Sequence, residues 1–254
     1  MSRFTGKTII VTGAGSGIGR QTVHRFLAEG GNVVAVSRTE GRLREALAGL
    51  PDDRLHLVAG DAGDPAVAGR AVAAAVDRFG GLDVLVNNVG NALRGDVAAV
   101  DPEEWADLLR TNVTSAYLFA RAALPELALR RGSIVQVSSV QGDRAEYGWV
   151  AYNTSKGAIE SMTRSMALDH AAEGVRVNAV APGLVDTPRT AGAGPEALAP
   201  IVARTPLGRA GTPAEIAGVI AFLAGDDASF VTGAVVPVDG GRAASLGSVR
   251  PADV

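Results

Sequence analysis

The sequence contains no cysteine among its 254 residues, which excludes disulfide bonds, a thiol nucleophile and a thiolate metal site. The three histidines, His24, His56 and His170, lie far apart in the chain and form no recognisable pair of ligands, so we expect no metal site. The formal net charge is −3. This balance predicts no basic surface for nucleic acid or for an anionic membrane.

Long hydrophobic runs are also absent, since no apolar stretch approaches the ~18 residues that a membrane span requires. The first residues lack the apolar segment and cleavage site of a secretion signal. We therefore expect a soluble, cytoplasmic protein. The chain is nonetheless 47% hydrophobic, which is sufficient for a substantial core.

Lysine occurs only twice, at Lys7 and Lys156, although the chain has 24 basic residues. Lys156 follows Tyr152 by four positions, so on a helix the ammonium and the phenol lie side by side. A neighbouring cation favours the phenolate and is expected to lower the pKa of Tyr152 from its ordinary value near ~10. The pair is a candidate general acid and base for an alcohol or a ketone. Taken alone, it could also be an ordinary contact on a helix surface.

A glycine-rich turn, residues 13–19, follows a β-branched apolar run at residues 7–12 and precedes a helical pattern at residues 20–29. Strand, glycine turn and helix form the context in which a dinucleotide is bound, because the glycines let the backbone approach the pyrophosphate at the helix N-terminus. The spacing is G-x-x-x-G-x-G rather than the strict G-x-G-x-x-G. The prediction of nucleotide binding therefore depends on this context, since glycines also form plain turns.

The second predicted strand, residues 32–36, ends at Ser37 and Arg38. Proteins that bind NAD commonly have an acidic residue here to hold the ribose hydroxyls. A hydroxyl and a guanidinium instead suit a 2′-phosphate, so the sequence favours NADP(H), with NAD(H) as the alternative. In that alternative, Arg38 is a solvated surface residue and Glu40 supplies the acid.

Strands and helices alternate along the rest of the chain, which predicts right-handed crossovers. We expect an α/β fold: a single-domain, Rossmann-like, doubly wound parallel sheet of about seven strands flanked by helices. The domain would span residues 1–254, with a core at 5–241 and a short, polar, loose tail at 242–254. Helices are predicted to start at Asp64-Pro65 and, with a capping box, at Thr212 to Glu215. The predicted strands are 7–12, 32–36, 55–59, 83–86, 132–139, 175–181 and 235–238, and two long helical regions are 102–129, interrupted near Pro125, and 149–172.

Several motifs occur in a specific order over about residues 5–241. They are Thr12-Gly13-x-x-x-Gly17-Ile18-Gly19, Asn87-Asn88-Val89-Gly90, Asn112, Ser139, Tyr152-x-x-x-Lys156, Pro182-Gly183-Leu184-Val185-Asp186-Thr187 and Val238-Asp239-Gly240-Gly241. Together they resemble the short-chain dehydrogenase/reductase family. Val89 stands where the family usually has alanine, a change of methyl scale that should leave the chemistry intact.

The resemblance implies four catalytic residues. Tyr152 would be the general acid in reduction and the base in oxidation, while Lys156 would lower its pKa and hold the nicotinamide ribose. Ser139, rather than Ser138, would hydrogen-bond the substrate oxygen. Asn112 would hold a water that links Lys156 to solvent, unless it is only a helix-kink or capping residue.

The resemblance also implies a cofactor site at the carboxyl ends of the strands. Asp61 would bind the adenine edge with Ala62 beside it, Asn88 and Gly90 would pass under the adenosine ribose, and Val185 and Thr187 would contact the nicotinamide carboxamide. The full expected set is Gly13, Ser16, Gly17, Ile18, Gly19, Ser37, Arg38, Asp61, Ala62, Asn88, Gly90, Tyr152, Lys156, Pro182, Gly183, Val185 and Thr187.

Two loops are expected to form the substrate walls, residues 140–149 and residues 186–207, the second of which reads as a mobile lid. The expected substrate contacts are Ser139, Gln141, Trp149 and Tyr152. Because the first loop is polar, a small hydroxylated or carboxylated substrate is favoured over a steroid.

The sequence therefore predicts an NAD(P)(H)-dependent oxidoreductase that interconverts a secondary alcohol and a ketone. One alternative is a 3-oxoacyl-[acyl-carrier-protein] reductase, for which Arg94, Arg130, Arg131 and Arg144 could form a basic patch. A second is a dinucleotide-binding sensor or scaffold without catalysis. The family resemblance implies a homotetramer or homodimer paired through the two long helices.

Overall fold

The computed structural model describes residues 2–244, in which seven parallel strands form one sheet with the order β3-β2-β1-β4-β5-β6-β7. This order confirms the predicted doubly wound α/β fold. The strands are β1 (Thr8–Thr12), β2 (Asn32–Ser37), β3 (Leu55–Ala59), β4 (Val84–Asn87), β5 (Ser133–Val137), β6 (Arg176–Pro182) and β7 (Val235–Val238).

Helices cover both faces of the sheet. They are α1 (Gly17–Ala28), α2 (Glu40–Ala46), α3 (Pro65–Phe79), α4 (Pro102–Leu109), α5 (Ser115–Arg130), α6 (Val150–Asp169), α7 (Pro188–Ala191), α8 (Gly194–Ala203) and α9 (Pro213–Ala224). One apolar core lies between the sheet and α1, α2 and α9, and the other lies between the sheet and α3, α5 and α6. Burial on both faces explains why the central strands are almost wholly apolar.

The predicted helix starts are confirmed. The Asp64 carboxylate accepts a hydrogen bond from the Ala66 amide at 2.9 Å, with Pro65 in the first turn of α3. Thr212 and Glu215 form a reciprocal capping box at the start of α9. Such caps satisfy amide groups that the helix leaves without partners.

Two predictions about helices are wrong. The long helical region is interrupted not near Pro125, which lies inside α5, but at a π-helical turn over Arg110–Thr114. The inserted turn has a hydrogen bond from the Ser115 amide to the Arg110 carbonyl oxygen, one residue longer than the α-helical spacing. Residues 186–207, predicted as a loop, include the helices α7 and α8, and their role as a mobile lid stays a prediction.

At the C-terminal end, Arg242–Ala244 forms a short turn, and the Arg242 guanidinium donates a hydrogen bond to the Glu146 carboxylate. The remainder of the predicted tail, residues 245–254, lies outside the described residues, as does Met1. None of the helices in the described chain combines the length and the apolar character needed to cross a bilayer.

Candidate active site

A cleft of about 710 Å³ opens at the carboxyl ends of the strands. It crosses the boundary between β1 and β4, where the chain reverses the direction in which successive strands are added. Residues at or just after the carboxyl ends of β1 to β6 line this cleft: Gly13, Ser37, Gly60, Asn88, Ser138 and Gly183.

The glycine turn forms one end of the cleft floor. Gly13 and Gly17 have φ angles of 67° and 52°, a region that side chains rarely adopt. A Cβ on Gly19 would lie 2.3 Å from the Gly13 carbonyl oxygen, so only glycine allows the turn to close against α1. The geometry leaves the N-terminus of α1 facing the cleft, where backbone amides favour an anion such as a pyrophosphate.

Two arginines line the cleft near the end of β2. Ser37, Arg38 and Arg42 all line this region, and a Cβ on Gly15 would lie 3.0 Å from the Ser37 hydroxyl. Glu40 does not line the cleft and instead pairs with the exposed Arg44. Ser37 and two arginines therefore line this end of the cleft without a carboxylate from α2.

Asp61 lines the same end of the cleft, as expected, but its carboxylate already has protein partners. It accepts hydrogen bonds from the Gly63 amide and from the Arg110 guanidinium, each at 2.9 Å. The Gly63 amide, followed by Arg110, lowers the pKa of Asp61. Asp61 is thereby kept ionised and fixed in place, with Ala62 beside it.

Lys156 lies at the other end of the cleft and is only 4% exposed. Its ammonium donates to the Val137 carbonyl oxygen at 2.8 Å. Burial, with a smaller contribution from the Arg189 charge, lowers the pKa of Lys156 to about 8. The ammonium is 5.7 Å from the centre of the Tyr152 ring, which confirms that the two side chains share one face of α6.

The net lowering of the pKa of Tyr152 expected from its pairing with Lys156 does not occur in this structure. Burial raises the pKa of Tyr152, while the Ser139 hydroxyl and the Arg189 charge act in the opposite direction. The reason is that a desolvated site penalises both charged forms, the phenolate and the ammonium. Tyr152 is therefore held as a neutral phenol, which is the form that donates a proton.

The two serines after β5 have different surroundings. The Ser138 hydroxyl lies 3.0 Å from a Glu160 carboxylate oxygen and 3.3 Å from the Lys156 carbonyl oxygen, so it joins β5 to α6. The Ser139 hydroxyl accepts from the Gln141 amide at 3.2 Å and lies near the Tyr152 phenol. Ser139 is thus the serine placed to meet a substrate oxygen beside Tyr152.

Asn112 occupies the π-helical turn and is 1% exposed. Its amide oxygen accepts from the Asn91 backbone amide at 2.7 Å, and its amide nitrogen donates to the Asn91 carbonyl oxygen and to the Ser155 hydroxyl, both at 2.9 Å. A Cβ on Gly90 would be 3.4 Å from the Lys156 ammonium and 3.5 Å from the Asn112 amide oxygen. Asn112 therefore fixes the segment that faces Lys156, and a role in holding water stays a prediction.

The cleft brings together most of the expected cofactor residues, including Pro182, Gly183, Val185 and Thr187 beyond β6. Gly19, Asn112, Gln141 and Trp149 do not line it. Trp149 instead packs edge-on against Tyr152, with ring centres 6.0 Å apart, and stacks beneath Arg94.

Sequence reasoning missed three arginines that line the cleft, Arg42, Arg110 and Arg189, because the fold is needed to bring each of them there. Only Arg42, one helical turn after Arg38, had a local signal in the sequence.

Comparison with known proteins gives consistent matches along nearly the whole chain. Residues 13–243 match the family model described as enoyl-(acyl carrier protein) reductase. The meso-2,3-butanediol dehydrogenase of Serratia marcescens is 39% identical over 248 residues, which are 98% of this chain and 99% of that protein. The cis-4-hydroxycyclohexanecarboxylate dehydrogenase of Sinomonas cyclohexanicum is 40% identical over 249 residues, 95% of this chain and 98% of that protein.

A solved structure shares the fold. The crystal structure of a short-chain dehydrogenase/reductase, a glucose/ribitol dehydrogenase from Brucella melitensis, superimposes with a TM-score of 0.90. It is 36% identical in sequence, and the match covers 94% of this chain and 98% of that one.

Replacing each serine by alanine separates their roles. We expect Ser139→Ala to lower kcat/KM by about tenfold to a thousandfold, because a donor to the developing oxyanion is lost. Ser138→Ala should instead leave kcat/KM within about threefold and lower the free energy of unfolding by about 1–3 kcal/mol, because Glu160 loses its buried partner. Steady-state kinetics and urea unfolding of both variants test this. A larger kinetic loss for Ser138→Ala would refute the assignment.

The burial of Lys156 predicts a pH-dependent stability. Because its pKa is about 8 in the folded protein and 10.5 is the ordinary value, the unfolded chain binds more protons between these two pH values. Stability linked to this group therefore rises with pH in that window, and the cost of burying it is complete below pH 8. We expect the stability of Lys156→Met relative to the unmodified protein to fall as pH rises from 8 towards 10.5. Urea unfolding of both proteins across this range tests this. The prediction is wrong if the free energy of unfolding of Lys156→Met minus that of the unmodified protein stays constant or rises with pH.

Proposed function

The chain belongs to the short-chain dehydrogenase/reductase family, and we propose that it interconverts a small polar secondary alcohol and its ketone with NADP(H), using Tyr152 as the proton donor and acceptor. The coarser statement, an NAD(P)-dependent oxidoreductase acting on CH–OH groups, follows from the family and from relatives that are named dehydrogenases. The observation that supports the assignment of roles is that Ser139, Tyr152 and Lys156 line the same cleft as the glycine turn.

The residues present fit a dinucleotide along this cleft. The glycine turn and the N-terminus of α1 would hold the pyrophosphate, and Lys156 would face the nicotinamide ribose. The bound cofactor would supply or accept the hydride, so the protein has to orient the substrate and move a proton.

In reduction, Ser139 would hold the ketone oxygen beside the Tyr152 phenol. The raised pKa of Tyr152 keeps the proton on its oxygen at neutral pH, ready for transfer as negative charge develops on the substrate. In oxidation the same oxygen would accept the alcohol proton, with a protonated Lys156 stabilising the phenolate. Asn112 would act indirectly, by fixing the segment that faces Lys156.

The preference for NADP(H) is supported by the charges near β2. Arg38 and Arg42 line the cleft around Ser37, which suits a phosphate on the adenosine ribose. Glu40, the residue that would serve NAD(H), turns to Arg44 instead.

A small polar substrate is supported by the polar lining beside Tyr152 and by two relatives, which are a butanediol dehydrogenase and a hydroxycyclohexanecarboxylate dehydrogenase. The description of the family model keeps an acyl-carrier-protein substrate as an alternative. The four arginines considered for that alternative do not form one patch, because Arg130 and Arg131 line a separate cleft at the amino ends of the strands. Arg94 stacks on Trp149, and Arg144 pairs with Asp143 at 2.9 Å.

A non-catalytic sensor is disfavoured because it would need the glycine turn but not the arrangement of Ser139, Tyr152 and Lys156. We also infer a homo-oligomer paired through α5 and α6. Tyr117 on α5 is 49% exposed and Leu168 on α6 is 81% exposed, so both helices present apolar surface that a second copy could cover. A cytoplasmic location stays a prediction.

Tyr152→Phe tests the proposed chemistry. We expect turnover of meso-2,3-butanediol or cis-4-hydroxycyclohexanecarboxylate with NADP⁺ to fall by at least about a hundredfold, because the proton-transfer group is lost. NADPH affinity, measured by fluorescence titration, should change by less than about twofold. Tyr147→Phe is the matched control, since Tyr147 is 96% exposed. Full activity of Tyr152→Phe would show the mechanism to be wrong.

Cofactor choice is tested by the double variant Arg38→Ala/Arg42→Ala. The unmodified protein should bind NADPH at least about tenfold more tightly than NADH, a difference of about 1.4 kcal/mol. The double variant should lose that preference by weakening NADPH binding alone, and Arg44→Ala should retain it. Tighter binding of NADH by the unmodified protein would overturn the assignment and redirect attention to Glu40.

A further inference from the structure

One cation at the reaction end of the cleft is not used by the proposed mechanism. Arg189 lies in α7, immediately after the segment that carries Val185 and Thr187, and it lines the cleft together with Ser139 and Tyr152. Its guanidinium donates a hydrogen bond to the Gly90 carbonyl oxygen on the opposite side of the cleft. Gly90 in turn lies against the Lys156 ammonium, so Arg189 extends to the immediate neighbourhood of the catalytic pair.

The charges along the cleft are not balanced. Among its described lining residues, the basic ones are Arg38, Arg42, Arg110, Lys156 and Arg189, whereas Asp61 is the one acid. Arg110 pairs with that acid, and Arg38 and Arg42 are at the adenosine end. Within residues 2–244, Arg189 has a neutral carbonyl oxygen as its partner and no carboxylate within ion-pair distance. Its charge therefore remains uncompensated by the protein described.

The local structure directs Arg189 away from the glycine turn, where the pyrophosphate is expected to bind. Thr187 faces the glycine turn, since a Cβ on Gly17 would lie 3.3 Å from the Thr187 methyl group. Thr187 and Thr190 cap α7 reciprocally, and the Thr190 hydroxyl donates to the Val185 carbonyl oxygen at 2.7 Å. Residues two apart at a helix start do not share a face, so Arg189 points from a fixed backbone towards Gly90 and the reaction end.

The field of Arg189 at this end agrees with its position. It adds to the effect of burial in lowering the pKa of Lys156, and it opposes the effect of burial on the pKa of Tyr152. A guanidinium is planar and presents parallel N–H donors that match a carboxylate. Its present partner, a single carbonyl oxygen, can be exchanged for such a group without leaving a buried charge, because the Arg189 side chain is exposed.

We propose that Arg189 is the anion-binding residue of the substrate site and that the natural substrate carries a carboxylate near its reacting hydroxyl or keto group. The inference rests on the proposed function, since it places the substrate between Ser139, Tyr152 and α7. It narrows the substrate class from small polar compounds to hydroxy or keto acids.

The test uses the protein saturated with NADPH and two probes of equal shape, cyclohexanecarboxylate and cyclohexanecarboxamide, titrated while the fluorescence of bound NADPH is followed. The unmodified protein should bind the carboxylate at least about tenfold more tightly than the neutral amide. Arg189→Met should abolish this preference while carboxamide binding and NADPH affinity stay within about twofold, and Arg189→Lys should restore part of it. Arg204→Met is the matched control, because it removes one exposed charge from α8's end without altering the cleft.

Three results would overturn the proposal. Equal binding of the two probes, or no binding of either at millimolar concentration, would show that the site does not recognise a carboxylate. A preference that persists in Arg189→Met would assign recognition to another group. A loss of NADPH affinity in Arg189→Met with the preference intact would assign Arg189 to the cofactor. The proposed function is judged separately, by NADPH binding and by Tyr152→Phe, so its failure is distinguishable from a failure of the role assigned to Arg189.

Discussion

The buried ammonium of Lys156 is the constraint on which the rest of the site depends. Lys156 is 4% exposed, so its ammonium loses most of its hydration, and one main-chain acceptor, the Val137 carbonyl oxygen, replaces water. Several irregular features of the chain converge on this group. Gly90 lies beside it, since a Cβ on this residue would be 3.4 Å from the ammonium, and Asn112 in the π-helical turn binds the backbone N–H and C=O groups of the neighbouring Asn91. The turn that interrupts the long helix therefore has a local purpose, because it brings Asn112 to that segment.

Burial also decides how Tyr152 and Lys156 behave as a pair. The same desolvation that lowers the pKa of Lys156 raises the pKa of Tyr152, so both groups are pushed towards their neutral forms. Reasoning from the four-residue spacing alone considered only the attraction between the charged forms. The charge on each group consequently depends on what occupies the cleft, and the pH dependence of catalysis belongs to the filled site rather than to Tyr152 alone.

The fold was predictable because it depends on periodicity and on a few strong local signals. Apolar strands, the glycine turn and the caps at Asp64 and Thr212 each act over a few residues, and the structure agrees with them. The interruption at Arg110–Thr114 was missed, because its cause is a set of contacts between Asn112 and residues distant in sequence. Residues 186–207 were misread for a similar reason, since proline and glycine at helix starts were taken as signs of a loop.

Some residues of the cleft could be assigned from the sequence, whereas others are identified only in the folded chain. Positions set by backbone geometry, such as Gly13, Gly17 and Gly19, could be assigned from sequence because only glycine fits them. Arginine has no such signature, since it serves equally as a surface residue, a helix cap or a ligand-binding group. Arg110 neutralises Asp61, whereas Arg130 donates to the carbonyl oxygen of Gly80 at a helix end, and the residue type alone does not distinguish these roles. What distinguishes Arg189 is its position at the reaction end of the cleft without a carboxylate partner, and this is why substrate choice has to be argued from charge placement rather than from motif.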